Sequence, residues 1–376
     1  MEARIIEDRL LWNQFVAASP QCHITQTYEW PEHAGESARG AASPRIGVID
    51  EHGRLVAAML LVRSKAQGVR APFFYAPRGP ICADPASPAL PLLVAAAKRE
   101  ARKRGAFLIR AEPNVPQDDT LWPKALRGLG FRPTSHGIYP RGAWVTDISG
   151  GEEQILANMS ASWRRYIRAG DKNGVRIRVG AGEADLDAFY RLLVETGQRD
   201  GFYIYPKELF REMLEHYSAE RAARDGTAEM KLMLAEHGGE LVGALTVAVL
   251  GRWAWYLHGA SSERPEHRKL RPNHPLQWQA MRWAKAHGAD FYDWRSIPDV
   301  LKPGEDLYGV YLYKRGFGGY EHRVMPAHDL VLRPEVYWPY TAAVSARRAL
   351  REWRRRRRGT QAQPDGGGAT AGGGAE

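Results

Sequence analysis

The side chains best placed to do chemistry are a lysine and several arginines that stand beside glycine and proline. Lys314 precedes Gly316 and Phe317 in YKRGFG, which reads as a strand-to-turn position. An ammonium group there either reaches a reacting carbonyl or leaving oxygen, or stays in solvent beside Arg315. Glu112 ends the apolar run AFLIRAEP. It either orients and deprotonates an amine or is an ordinary strand-end carboxylate. Arg78 lies in Pro77-Arg78-Gly79-Pro80, a turn that exposes a guanidinium fork suited to a diphosphate or carboxylate. Trp163 and Tyr166 interleave with Arg164, Arg165, Arg168 and Lys172. At helical spacing Arg164, Arg168 and Lys172 share one face, a row that suits a phosphate backbone as well as solvent. Arg295 follows Asp293 and Trp294 and either pairs with Asp293 or faces a cleft. Trp253, Trp255, Tyr256 and His258 alternate on one apolar run, with His258 read as a satisfied polar residue rather than a catalyst. No G-x-S-x-G, H-E-x-x-H or G-x-x-x-x-G-K-[ST] pattern occurs, which argues against the common hydrolases, metalloproteases and P-loop enzymes.

The elements that must position these residues occur twice. AAAKREARKRGAFLIRAEPNV is a helical stretch closed by Gly105 and followed by a strand-like run. QAMRWAKAHGADFYDWRSIPDV repeats this order around Gly288. Gly130-Phe131 and Gly316-Phe317 then follow at nearly equal distance. A shared order at shared spacing implies a duplicated unit with a cleft between the copies. RIGVIDEHGRLVAAMLLVRSKA and MKLMLAEHGGELVGALTVAVLGRWAWYLHGAS read as hairpins, turning at residues 51–53 and 237–239. The expected division is a first domain over 1–145, completed by 320–340, and a second over 146–319. A basic amphipathic helix over 341–358 and a disordered Gly/Ala-rich tail over 359–376 follow.

The order of strands and helices, with its terminal KxGF turn, resembles the acyltransferase fold of the GNAT superfamily. The fold class is therefore α+β, as two tandem GNAT-like domains. NMSASWRRYIRAGDKNGV further resembles the R-x-N-I-R-x-A-x-K-x-G-V segment of Fem-type (FemABX) peptidoglycan aminoacyltransferases. QTYEW at 26–30, APRGP at 76–80, HGAS through LRPNHPLQW at 258–278, and YDWRSIP with YLYKRGFGG at 292–319 follow in the same family's order. The resemblance implies transfer of Gly, Ala or Ser from aminoacyl-tRNA to a stem-peptide amine of a peptidoglycan precursor, either lipid II or a UDP-linked muropeptide. No metal or cofactor is implied. Within these stretches Lys314 and Glu112 are expected to be catalytic. Arg78, Arg110, Tyr256, Asn273, Arg295, Tyr311 and Tyr313 are expected to bind substrate, and Arg164, Arg165, Arg168 and Lys172 to bind tRNA. The chain departs from the family where Tyr166 replaces an Asn and Glu112 an Asp. No heptad stretch for a coiled-coil arm occurs.

Composition limits the alternatives. The net charge is +10, but residues 347–358, RRALREWRRRRR, supply +7 of it. The rest of the chain is only mildly basic, which counts against a general nucleic-acid-binding protein. The arginine run with Trp353 is expected to meet an anionic membrane surface. The longest apolar run, LVAAMLLV at 55–62, is far short of the roughly 18 residues a span needs. The charged start MEARIIEDRL lacks a signal-peptide core, and Cys22 and Cys82 form no CxxC or metal-ligand cluster. A cytoplasmic, peripherally membrane-associated monomer is the expectation. An acyl-CoA-dependent N-acyltransferase is the first alternative, although no Q/R-x-x-G-x-G/A pyrophosphate loop is found. A tRNA-dependent peptide ligase of natural-product synthesis is the second.

Overall fold

The computed structural model describes residues 1–33, 39, 42–305 and 307–360. The first half begins with β1 (Glu2–Ile5) and α1 (Arg9–Ala18). Asp8 caps α1 by accepting from the Leu11 amide at 3.0 Å, and the helix buries Trp12 and Val16. The hairpin of β2 (Arg45–Ile49) and β3 (Leu55–Leu60) turns on Asp50, whose carboxylate accepts from the amides of His52 and Arg54. The chain continues through β4 (Val62–Lys65), β5 (Pro72–Ala76), β6 (Ile81–Cys82), α2 (Ala89–Lys103), β7 (Leu108–Ala111), α3 (Leu121–Gly128) and β8 (Phe131–Pro133). Leu90, Leu93, Val94, Ala97 and Ala101 make the apolar stripe that α2 buries on the sheet.

After β9 (Gly142–Asp147), the second half starts with α4 (Glu152–Ala157), α5 (Ala161–Lys172), β10 (Arg176–Val179), α6 (Gly182–Asp200), α7 (Lys207–His216) and α8 (Ala219–Asp225). Three long strands follow: β11 (Glu229–His237), β12 (Glu240–Leu250) and β13 (Trp253–Ser261). Then come α9 (Pro265–Leu270), α10 (Asn273–Ala286), β14 (Phe291–Ser296), α11 (Tyr308–Arg315) and β15 (Tyr320–Arg323). The chain ends in β16 (His328–Val331) and α12 (Pro334–Thr360).

The two halves repeat one topology. The second sheet runs β10-β11-β12-β13-β14-β9-β15. The first runs β1-β2-β3-β6 and, where β3 continues into β4, β4-β5-β7-β16-β8. Each contains one parallel pair, β5 with β7 and β13 with β14. Each parallel pair is joined by a helix with the same cap. Gly105 and Gly288 adopt φ values of 69° and 88°. The next amide then bonds back to the helix, Ala106 to Ala101 and Ala289 to Ala284. Only glycine enters this left-handed turn without strain, which is why both copies have it.

Each sheet also borrows a strand. β9 leaves the first half and inserts between β14 and β15, while β16 leaves the second and inserts between β7 and β8. A shared core of Trp12, Ile24 and Leu60 with Tyr217, Met230 and Trp255 joins the halves further. The helix α12 packs Tyr340 edge-on against Phe107 at 5.3 Å and leaves Trp338 and Leu350 exposed. Among the described residues no helix is long and apolar enough to cross a membrane. Residues 361–376 of the expected tail lie outside the described residues.

Candidate active site

The parallel strands β13 and β14 pair only over Trp253–Trp255 and Phe291–Asp293. Beyond that they diverge: β13 stays with β12, whereas Ser296 pairs with Ala143 of β9. Divergence leaves a V-shaped opening in the sheet, bordered by Tyr256 and Trp294. The Asp293 carboxylate accepts from the Arg295 amide at 2.5 Å, and Arg295 sits at φ 62°. This local turn bulges β14 and directs the Ser296 carbonyl towards α11.

Lys314 enters the opening from the last turn of α11, not from a strand-to-turn position. The segment is helical because Tyr308, Tyr311, Leu312 and Lys314 recur at three- and four-residue spacing on the face turned to the core. The Lys314 ammonium donates to the Ser296 carbonyl at 2.7 Å and is only 6% exposed. Burial lowers its pKa to about 8; the Asp293 carboxylate opposes the shift and Arg295 adds to it. His258, at the same wall, is pushed down to about 3 by burial and by Arg295 and is therefore neutral. It bonds the Thr246 hydroxyl at 3.0 Å, the satisfied role expected of it.

Lys314 lines an apolar cavity of about 390 Å³, walled by Tyr203, Tyr205, Phe210, Leu257, Val310 and Arg295 among others. Through Tyr256, Gly259 and Val310 it adjoins a cavity of about 520 Å³ that also holds Asn273 and Tyr313. That space continues past Asn273 and Tyr313 to a mouth at the start of α10, lined by Arg268 and Arg271, where Arg199 is already paired with Asp200. Through Ser296 and Leu307 the Lys314 cavity meets a larger one of about 850 Å³. Arg78, Glu112, Tyr139, Arg323 and Arg348 line this space. A chain of open volumes thus passes Lys314 from one half to the other.

The structure brings together Lys314, Arg295, Tyr256, Tyr313 and Asn273, with Arg78 across the junction. Arg78 adopts φ 54° and donates to the Pro140 carbonyl at 2.8 Å. Other expected site residues are engaged elsewhere. Arg110 is buried in a two-pronged ion pair with Asp329 of β16, at 2.7 and 2.8 Å, and so anchors the borrowed strand. Glu112 accepts from the Tyr75 hydroxyl at 2.9 Å and from the amides of Ile138 and Tyr139. These bonds order that loop while Glu112 also lines the larger cavity. Tyr311 packs edge-on against Trp144 in the core and lines none of these cavities. Arg164 turns back to the carbonyls of Ala157 and Met159, at 3.1 and 2.6 Å, and so leaves the basic row. Arg165, Arg168 and Lys172 remain exposed on α5. Arg165 and Arg271 each lie 5.3 Å from the Tyr166 ring, which links this face to the mouth at α10.

Sequence reading missed His23, Tyr139, Arg268 and Arg271. His23 and Tyr139 come from irregular segments of the first half. Arg295 nevertheless acts on both, adding to burial and Arg78 in lowering His23 and holding Tyr139 down against the upward push of burial. No spacing rule predicts such a meeting. Arg268 and Arg271 stand near the Asn273 that was singled out, and the start of a long helix beside two arginines was the available signal.

Two sheets of one topology, each with a helix-joined parallel pair, define a tandem acyltransferase fold of the GNAT class, and the comparisons agree. Residues 157–315 match the family model described as acetyltransferase (GNAT) domain, and residues 9–121 match the FemAB family. The lipid II:glycine glycyltransferase of Staphylococcus saprophyticus is 26% identical over 388 residues, covering 86% of this chain and 91% of the relative. That of Staphylococcus haemolyticus is also 26% identical, with the same coverage. The crystal structure of FemX has a TM-score of 0.80 at 21% identity, covering 90% of this chain and 99% of its own. A tandem GNAT protein from the clavulanic acid biosynthesis pathway has a TM-score of 0.52 at 15% identity, covering 87% and 98%. The chain is thus similar to the Fem-type acyltransferases over most of its length and shares their tandem GNAT fold.

Proposed function

We propose that the protein transfers an aminoacyl group from aminoacyl-tRNA to a stem-peptide amine of a peptidoglycan precursor. The observation that carries this reading is Lys314, a buried ammonium bonded to the carbonyl of Ser296, the residue at which its cavity meets the larger one. The relatives named lipid II:glycine glycyltransferase supply the substrate class. The donor's 3′ end enters past Arg268 and Arg271, with Arg165, Arg168 and Lys172 meeting phosphates farther out. The precursor occupies the larger cavity with Arg78. The amine nitrogen attacks the ester carbonyl, forming the N–C bond and putting negative charge on the carbonyl oxygen. Lys314, mostly protonated at neutral pH, stabilises that charge. Collapse breaks the bond to the ribose oxygen, which takes up a proton while the amine loses one. Substrate contacts by Arg78, Tyr256, Asn273, Arg295 and Tyr313 belong to this reading.

In this reading the protein works as a monomer in the cytoplasm against the inner membrane face. The helix α12 skirts the precursor cavity, with Arg348 in its lining, and its arginine run meets anionic lipid. The test is to incubate the purified protein with lipid II or the nucleotide-linked precursor and individually charged tRNAs, and to read the product by mass. Gain of an aminoacyl residue only with charged tRNA is expected. Acylation by acyl-CoA in the control arm would overturn the tRNA-dependent reading.

A further inference from the structure

The inference rests on the transfer reading and concerns the acceptor. Arg295 is a substrate-contacting cation for which the transfer chemistry names no partner group. Its amide is held by the Asp293 carboxylate and its backbone by φ 62°, and its side chain lines the Lys314 cavity. Among the described residues its guanidinium makes no hydrogen bond or ion pair. Phe202, Tyr205, Leu257 and Val310 supply apolar wall to the same cavity.

Its charge is felt by Lys314 and His258 on one side and by His23 and Tyr139 on the other. The next residue, Ser296, lines both the Lys314 cavity and the precursor cavity, which places Arg295 at their junction. Asp293 is buried, and one of its oxygens is already bound to the Arg295 amide.

Lys314 and Arg295 share one buried carboxylate, Asp293, so the two cations keep a surplus positive charge that an arriving anion would offset. A planar guanidinium fork is best matched by a carboxylate or a phosphate. In the transfer reading the donor's phosphates enter at the far mouth, which Arg268 and Arg271 line. The anion that reaches Arg295 is then on the acceptor, close to the amine that must approach Lys314. We propose that Arg295 binds a carboxylate carried next to the acceptor amine. The preferred acceptor residue is thus a diamino diacid rather than a simple lysine-type side chain. Fixing the carboxylate on the fork orients the neighbouring amine towards the ester.

The experiment compares three precursors that differ only at the acceptor residue: lysine, diaminopimelate, and diaminopimelate amidated at the carboxylate beside the amine. With the natural protein, kcat/KM on the free acid should exceed that on the amide by ~10-fold or more. Arg295→Gln should abolish that ratio, and Arg295→Lys should keep part of it. Equal rates on acid and amide in the natural protein, a comparison that needs no variant, would overturn the proposal. So would a ratio that survives in Arg295→Gln. If Arg295→Gln instead raises KM for charged tRNA equally with all three precursors, the anion is a donor phosphate and the proposal is wrong. If none of the three accepts an aminoacyl group from any charged tRNA, the transfer reading itself has failed and the proposal falls with it.

Discussion

In the proposed transfer one side chain, Lys314, bears on both activity and stability. Its role in the proposed transfer is electrostatic and acts mainly in the transition state. Lys314→Ala should therefore lower kcat by on the order of 10²-fold while donor affinity stays near normal. Near-normal turnover in that variant would remove Lys314 from the chemistry. Its pKa of about 8 carries a second consequence. If the ammonium form is the working form, kcat should fall as pH rises through about 8, and a rising limb there would make it a base instead. The same shift bears on stability. The folded pKa lies below the ordinary lysine value of 10.5, so the folded state loses its proton first. The burial penalty is fully present below pH 8 and is relieved as pH rises from there towards 10.5. Lys314→Met should accordingly raise stability at pH 7 by on the order of 1 to 3 kcal/mol while abolishing transfer, as thermal melting would show.

At the scale of elements, α5 separates two kinds of arginine on one basic helix. Arg164 satisfies the carbonyls of Ala157 and Met159 at the turn before the helix, whereas Arg165, Arg168 and Lys172 face outward. Charge reversal of the outward three should weaken tRNA binding, with the salt slope falling by about 1 or slightly less per lost phosphate contact. Arg164→Ala should lower the melting temperature and leave that slope alone. An unchanged slope for the outward three would put the tRNA on another surface. The helical pattern of α5 was legible at the i, i+4 spacing. Which arginine turns back was not, because that depends on where α4 ends. The same holds for α11. Its apolar spacing is there in YGVYLYKR, but the short run before Gly316 reads equally as a strand until its buried face is known. Gly316 itself is explained by packing, since a Cβ there would lie 2.3 Å from the Trp163 ring.

At the scale of the whole molecule, the exchange of β9 and β16 makes each sheet depend on the other half. α12, which follows β16, is thereby carried to the precursor cavity with the arginine run behind it. Deleting residues 347–376 should reduce binding to anionic liposomes and activity on lipid II in bilayers, with activity on a soluble precursor analogue preserved. If both activities fall together with tRNA affinity, the run serves the donor. If neither changes, the membrane role is wrong.

The sequence by itself determined the duplicated order, the glycine-capped helices before the parallel strands, the fold class and the family resemblance. These follow from apolar periodicity, turn residues and motifs, all of which act within a few residues along the chain. Lys314 and Arg78 stood out because glycine and proline mark their surroundings. Tertiary structure alone decided which charges were already spent. Arg110 meets Asp329 across 219 residues, and Glu112 meets a loop more than twenty residues away. A charge in a sequence looks the same whether its partner is another part of the chain or a substrate. Only the folded chain, by pairing Arg110 and Glu112 and leaving the Arg295 guanidinium unmatched among the described residues, tells them apart.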